Sequence, residues 1–268
     1  MNDTRFPLFH SPVIWGIGLL SIIFMLYWFT LAPDVLWGGG DFATYQTRAY
    51  LNEVVENEGN TGIFNHPLWI IIAHPFTKIP LNTPAWRANL VAALFALAAL
   101  GFIYASAWLL TRSIPGSLLA TAALAVSHTF WTYAVMPKVY SLNALFLAVC
   151  CFLLLAWAQS SPKRNWLLYL GSFLYGLSFL NHLVMATALP AFTLFILLVL
   201  RKADNQRGRS ASLALVSFVV GLLPYLWLTI ITSTGGKQVV PYLALSKAAF
   251  LSFSIPSTFY GGWAGGQV

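Results

Sequence analysis

Apolar residues do not alternate with polar ones along this chain; they come in long runs. The run 13–31 (VIWGIGLLSIIFMLYWFTL) carries no charge. Crossing ~30 Å of hydrocarbon takes ~20 apolar residues at ~1.5 Å of helical rise each. This run is long enough to span and too long for a signal-peptide core. Ala32-Pro33 behind it is a poor cleavage site, so it reads as a retained span. Further candidates follow at 85–110, 115–135, 140–158, 166–180, 184–200 and 211–232, about seven in all. Asn181-His182 interrupts the stretch 166–200 and favours two short passes over one long kinked helix. The fold class expected is all-α: a multi-pass transmembrane helical protein. No internal repeat is visible.

A long loop, 32–84, separates the first two spans, and loops of that length are usually functional. Gly38-Gly39-Gly40 breaks the chain. The segment 41–58 then reads as an amphipathic helix with Phe42, Tyr45, Ala49, Leu51, Val54 and Val55 on its apolar side and Gly59 as its stop. The apolar stretch 66–79 is about half a span and is expected to lie in the membrane interface or dip into it. The expected domains are a polytopic membrane unit over 1–232, with 32–84 as its first extracytoplasmic loop, and an extracytoplasmic tail over 233–268. That tail reads as the start of a further region.

Composition sharpens this picture. The chain is 59% hydrophobic and 8% charged, against about 25% charged in soluble domains. A cytosolic globular enzyme, a disordered chain and a disulfide scaffold are all excluded. The net charge of +7 would suit nucleic acid only if it formed a basic patch. Instead the positives sit in short clusters between apolar runs, as in loops facing an anionic leaflet. The expected partner is therefore the lipid bilayer and not nucleic acid. Cys150 and Cys151, adjacent in an apolar run, read as small lipid- or helix-facing residues.

Charge also sets the orientation. Arg5, Arg112, Lys163, Arg164, Arg201, Lys202, Arg207 and Arg209 are eight of the fourteen Lys and Arg residues. With seven spans they share one side, which the positive-inside rule makes cytoplasmic together with the N-terminus. The expected setting is a bacterial plasma (inner) membrane. Five of the seven acids (Asp34, Asp41, Glu53, Glu56 and Glu58) fall in the loop on the other side, and none lies within a span.

Candidate chemistry gathers on that outer side. Asp41 follows three glycines, where a carboxylate can meet both a lipid headgroup and water. It could take a proton from a hydroxyl as a general base, or simply cap the following helix. Gly38-x-Gly40-Asp41 also fits an intramembrane aspartyl protease pattern. That chemistry needs two carboxylates sharing a proton, and only Asp34 lies near. His66-Pro67 and His74-Pro75 could join Asp41 or Glu53 around zinc, but their spacing is not that of ligands on one helix. The sequence thus supports no divalent metal and calls for no cofactor. Arg87 beside Trp86 and Lys138 in the turn Met136-Pro137-Lys138 are either interfacial anchors or phosphate ligands. Asn181 and His182 are polar groups at membrane depth, which serve either function or a helix–helix bond. His128 reads as structural.

Several segments in order carry a resemblance. Ala32-Pro33-Asp34, Trp37-Gly38, Gly40-Asp41-Phe42, His66-Pro67-Leu68, Trp86-Arg87-Ala88-Asn89-Leu90 and Phe130-Trp131 come first. Val139-Tyr140-Ser141-Leu142, Leu180-Asn181-His182 and Gly221-Leu222-Leu223-Pro224-Tyr225-Leu226 follow. Over roughly residues 30–230 the chain resembles the protein O-mannosyltransferase-like membrane proteins of the glycosyltransferase C superfamily. The resemblance implies a transferase that takes a sugar from a polyprenyl-phosphate donor, with a catalytic acid in the first extracytoplasmic loop. Asp41 matches the glutamate of the family's Trp-x-Asp-Ser-Gly-Glu-Phe tract, here Trp37-Gly38-Gly39-Gly40-Asp41-Phe42. The family's Glu-Ala-Glu-Val-Tyr stands here as Met136-Pro137-Lys138-Val139-Tyr140, without its acids. The expected site is therefore Asp41 as catalytic base, with Arg87, Lys138, His66, Asn181 and His182 binding substrate. A lipid-linked sugar is the donor, and the acceptor is a protein, lipid or glycan. The other readings are a transporter or flippase for lipid-linked substrates, and a noncatalytic lipid-binding member.

Overall fold

In the computed structural model, residues 11–35, 42–52, 66–201 and 207–234 are described. Every regular element among them is helical. The first apolar run forms α1 (Pro12–Thr30), and the second forms α4 (Pro84–Thr111). Thr83 caps α4 by accepting the Trp86 N–H at 3.2 Å, while Pro84 at the first position supplies a preset φ. Helix α4 ends on Arg112 in the left-handed conformation, φ 54°. Tyr140–Gln159 forms α7, Leu189–Arg201 α9 and Arg207–Thr234 α10. Counting the 3₁₀ turn Leu183–Ala188 with α9, five described helices are long and apolar enough to cross a membrane. This is a multi-pass, all-helical membrane architecture.

Two expected spans take another form. The run 115–135 divides into α5 (Ile114–Ala125) and α6 (His128–Ala134), neither of spanning length. At Val126-Ser127 the helix ladder lapses, and carbonyls freed at membrane depth must find partners within the protein. The Ser127 hydroxyl donates to Leu124 O at 2.8 Å, and the Tyr27 hydroxyl of α1 to Ala125 O at 2.9 Å. The run 166–180 forms α8 (Asn165–Ser178), 14 residues long, or about 21 Å of helix. Residues 179–182 turn the chain before the 3₁₀ segment, so 166–200 is two elements, as Asn181-His182 suggests.

The loop elements are more deeply packed than expected. Helix α2 (Phe42–Leu51) stops at Asn52, φ 59°; the rest of the expected 41–58 helix lies outside the described residues. Its buried face is Tyr45, Gln46 and Ala49, while Leu51 points outward. A glutamine is buried there because its Nε2 bonds Asn89 Oδ1 of α4 at 2.8 Å and Asp34 O at 3.3 Å. Helix α3 (Pro67–Phe76) is expected at the interface. Its Trp69, Ile70 and Ala73 are fully buried, in a core shared with Tyr45, Val91 and Val139.

Helix α1 seals its face with Ile23 and Tyr27 against Ala93, Ala96 and Leu100 of α4. Helices α8 and α10 meet backbone to backbone. A Cβ on Gly176 would strike the Phe218 carbonyl, and one on Gly221 the Phe173 carbonyl. Small residues permit such approach where packing, not water, drives association. Helix α9 is held less closely, with Leu200 its only buried residue. Gly221→Leu should force α8 and α10 apart and cost about 1–3 kcal/mol. It should lower the apparent unfolding temperature in detergent, with Gly208→Leu, whose Cβ meets nothing, as the silent comparison.

Candidate functional site

The site is built where three chain ends meet. Helix α6 ends at Ala134, α7 begins at Tyr140, and the α8 corner turns at 179–182. Each leaves backbone groups without helical partners. Asn181, 1% exposed, ties the α8 corner to the start of α7 and to the cap of α3. Its Nδ2 donates to Val139 O at 3.1 Å and to Asn143 Oδ1 at 2.6 Å. Its own carbonyl receives the Nδ1–H of His66 at 2.6 Å. Asn181 therefore uses its amide hydrogens inside the protein and acts by positioning its neighbours.

His66 is the left-handed N-cap of α3, φ 52° and ψ 58°. A non-glycine residue in that region costs of order 1–3 kcal/mol and persists only where its surroundings demand it. Here the demand comes from α3, which starts at Pro67, and from the Asn181 carbonyl. The His66 ring stacks on His182 at 4.6 Å between centroids, 20° from parallel. The two rings have opposite polarity. A carbonyl accepts only, so His66 carries its proton on Nδ1. His182 Nδ1 instead accepts the Val184 N–H at 2.9 Å, which leaves the neutral ring's proton on Nε2. Burial, then the adjacent His66, lowers the His182 pKa to about 4. At neutral pH His182 is an uncharged donor.

Full positive charge comes from Lys138, whose Nζ lies 4.7 Å from the Phe42 ring centre and 5.6 Å from that of Tyr45. Tyr45 also faces His66 at 5.7 Å, so lysine and imidazole flank one ring. Tyr140 tilts toward His182 at 6.1 Å. The corner thus gathers Lys138, His66, Asn181 and His182 from three separate stretches of chain. Arg87 stands apart from these four. It bonds the turn before its own helix, Nε to Thr83 O at 3.1 Å and a terminal nitrogen to Ile79 O. It nevertheless shares this end of the bundle. Ala32 links α4 to α6, its carbonyl accepting from Asn89 Nδ2 at 2.8 Å and its N–H donating to Val135 O at 3.2 Å.

Asp41, expected as the base, lies outside the described residues. Asp34 accepts from the Thr83 hydroxyl at 3.2 Å. His74 Nδ1 donates to Ala49 O at 2.8 Å, fixing α2 onto α3. Tyr45, expected only on the apolar side of its helix, and Tyr140, expected only as part of a motif, join the corner, as does Asn143, which carries no sequence signal of its own.

Below the corner, α9 stands off from α7, α8 and α10 and leaves a cavity of about 470 Å³. Leu154, Tyr175, Phe192, Leu197 and Phe218 line it, with no charged side chain among the lining residues. Tyr175 joins the two regions, since its hydroxyl donates to Met185 O at 2.5 Å and the Met185 N–H donates to His182 O at 3.2 Å.

A lysine–imidazole corner set over an apolar cavity, in a bundle of helices long enough to span, defines a polytopic membrane protein. Residues 65–207, just over half of the chain, match the family described as the Protein O-mannosyl-transferase TMEM260 N-terminal domain, and the chain belongs to that family. It is 28% identical over 206 residues to Protein O-mannosyl-transferase TMEM260 of Mus musculus, covering 75% of this chain and 28% of the relative. It is 24% identical over 244 residues to Protein O-mannosyl-transferase tmem260 of Dictyostelium discoideum, covering 85% of this chain and 29% of that one. The chain thus spans less than a third of either relative's length. Both organisms are eukaryotes and lend no support to the expected bacterial membrane. No solved structure matches.

Two outcomes follow from the corner. Asn181→Leu leaves the buried Asn143 Oδ1 without its donor, at about 1–3 kcal/mol, while the Val139 carbonyl keeps the Asn143 N–H. Its unfolding temperature should fall, and Asn143→Leu added in that background should cost less than it does alone. The depressed His182 pKa means that the unfolded chain binds the extra proton first. Stability should therefore be full above pH ~6.5 and decline as pH falls toward 4. Thermal unfolding of His182→Gln across that range should show a shallower decline than the parent.

Proposed function

We propose that this chain forms the donor-binding membrane unit of a glycosyltransferase, one that moves a hexosyl group from a polyprenyl phosphate to an acceptor hydroxyl on the extracytoplasmic side. The observation that carries the reading is the stacking order at one end of the bundle. A lysine and an imidazole donor sit above an uncharged cavity of about 470 Å³. A phosphate headgroup with an isoprenoid tail has that division of charge and apolar surface. The names of the relatives, both O-mannosyl-transferases, support the same reaction class.

In this reading the tail lies along α7, α8, α9 and α10. Lys138 and the His182 Nε2–H receive the phosphate oxygens, with His66 stacked behind His182 and Asn181 fixing both. Arg87 adds positive charge at the same end. Donors set in a water-poor site stabilise charge as it develops, without reorganising at the moment of reaction. The bond between the sugar's anomeric carbon and the phosphate oxygen breaks, and its electron pair leaves with the phosphate. The acceptor oxygen forms the new bond from the opposite face, inverting that carbon. Its proton passes to Asp41, the residue immediately before Phe42 in the chain, acting as general base. The loop 32–84 and the tail 233–268 then face the outer side and the N-terminus the cytoplasm, consistent with the eight cytoplasmic-side basic residues.

Transfer assayed in reconstituted membranes from a polyprenyl-phosphate hexose tests the assignments. Asp41→Asn, inserted and folded like the parent, should lose transfer while still binding donor; transfer at the parental rate would show that Asp41 is not the base. Lys138→Gln should weaken donor binding by about 10- to 100-fold, the worth of one charge-assisted contact.

A further inference from the structure

The helix break at Val126-Ser127 has a cavity beside it. A pocket of about 260 Å³ lies between α4, the α5–α6 break and the start of α7. Broken helices at membrane depth are tolerated where they line a polar cavity, and they commonly mark binding sites. The lining is mixed in a particular way. Phe130, Tyr133 and Tyr140 contribute rings, and Ser127, Thr129 and Ser141 contribute hydroxyls. No charged side chain lines it. Ala96 and Ala144, each a single methyl, keep the floor open.

Two of the hydroxyls are already oriented. Ser127 Oγ donates to Leu124 O at 2.8 Å and Ser141 Oγ to Lys138 O at 3.2 Å, so both present lone pairs to the pocket as acceptors. Thr129 and Tyr133 make no hydrogen bond through their side chains among the described residues, and Tyr133 is fixed only by its ring contact with Tyr140 at 4.8 Å. Tyr140 belongs to both places. It lines this pocket and leans on His182 at 6.1 Å. Uncharged hydroxyl donors and acceptors set beside aromatic rings suit a ring that has apolar C–H faces and a rim of hydroxyls.

We propose that this pocket is the subsite for a pyranose ring, packed against the contacting rings of Tyr133 and Tyr140 with its hydroxyls bonded to Thr129, Tyr133, Ser127 and Ser141. The assignment of that ring to the donor rests on the reading given under Proposed function. On that reading tail, phosphate and sugar occupy the apolar cavity, the His182 corner and this pocket in turn. The same ring chemistry could instead belong to a glycan acceptor, and the two sources are separable.

The test measures binding to the full chain in lipid nanodiscs with three probes: a polyprenyl phosphate lacking sugar, the same lipid phosphate bearing mannose, and octyl mannoside. Tyr133→Phe keeps the ring and removes one hydroxyl, and Thr129→Val does the same for the second free group. Each should weaken the mannose-bearing lipid by about fivefold and leave the sugar-free lipid phosphate unchanged. Weakening confined to octyl mannoside assigns the pyranose to the acceptor and keeps the subsite. If the parent binds octyl mannoside but neither lipid phosphate, and the variants weaken it, the subsite stands and the donor reading falls. If neither variant weakens any sugar-bearing probe, or the parent binds none, the subsite is wrong.

Discussion

In a bilayer the backbone has no water to turn to, and the hydrogen bonding of Asn181 is where this chain meets that constraint. The end of α8, the start of α7 and the cap of α3 would each leave polar groups without partners. One buried amide joins Val139 O to Asn143, and its own backbone carbonyl aligns His66. Of the stacked imidazoles, His66 takes its tautomer from this arrangement and His182 from the Val184 N–H. An electrostatic site can be preorganised here because its orientation is set by bonds that the fold requires in any case.

The same constraint explains the division of labour among the helices. Helices α8 and α10 are in backbone contact through glycine and form a rigid pair. Helix α4, with its row of alanines, serves as a smooth wall for α1 on one side and α7 on the other. Helix α9 lacks such a seam, and the apolar cavity exists because it does. Gln46 and Asn89 bind the outer helix α2 to this frame by one side-chain bond, which keeps the ring beneath Lys138 in register with the corner.

Much of this was legible in the sequence, because hydrophobic length is a local property. The long runs became α1, α4, α7, α9 and α10, and Asn181-His182 marked a real turn. The split of 115–135 was marked only by the polar Ser127-His128-Thr129 within an otherwise apolar run. What stabilises the break is Tyr27, nearly a hundred positions away in the chain (|i−j| = 98). For the same reason the packing of α3 was not legible, since Trp69 and Ile70 are covered by residues from α2, α4 and the start of α7. His66, Lys138, Asn181 and His182 were each visible as odd polar residues. Their convergence was not, because His66 and Asn181 are 115 positions apart. Arg87 looked equivalent to Lys138 by position, and the carbonyls of Ile79 and Thr83 give it a different setting.

The shortness of α8 bears on how a lipid-borne molecule would arrive. A helix of 14 residues falls roughly 10 Å short of a ~30 Å hydrocarbon core. Either the neighbouring leaflet is drawn inward around it or the 179–182 turn rides at acyl depth. In the first case the height difference between a bilayer headgroup and the His182 donor is reduced. A ligand anchored by its own tail can then be collected by lateral diffusion, a search in two dimensions that begins with the ligand already at the right level.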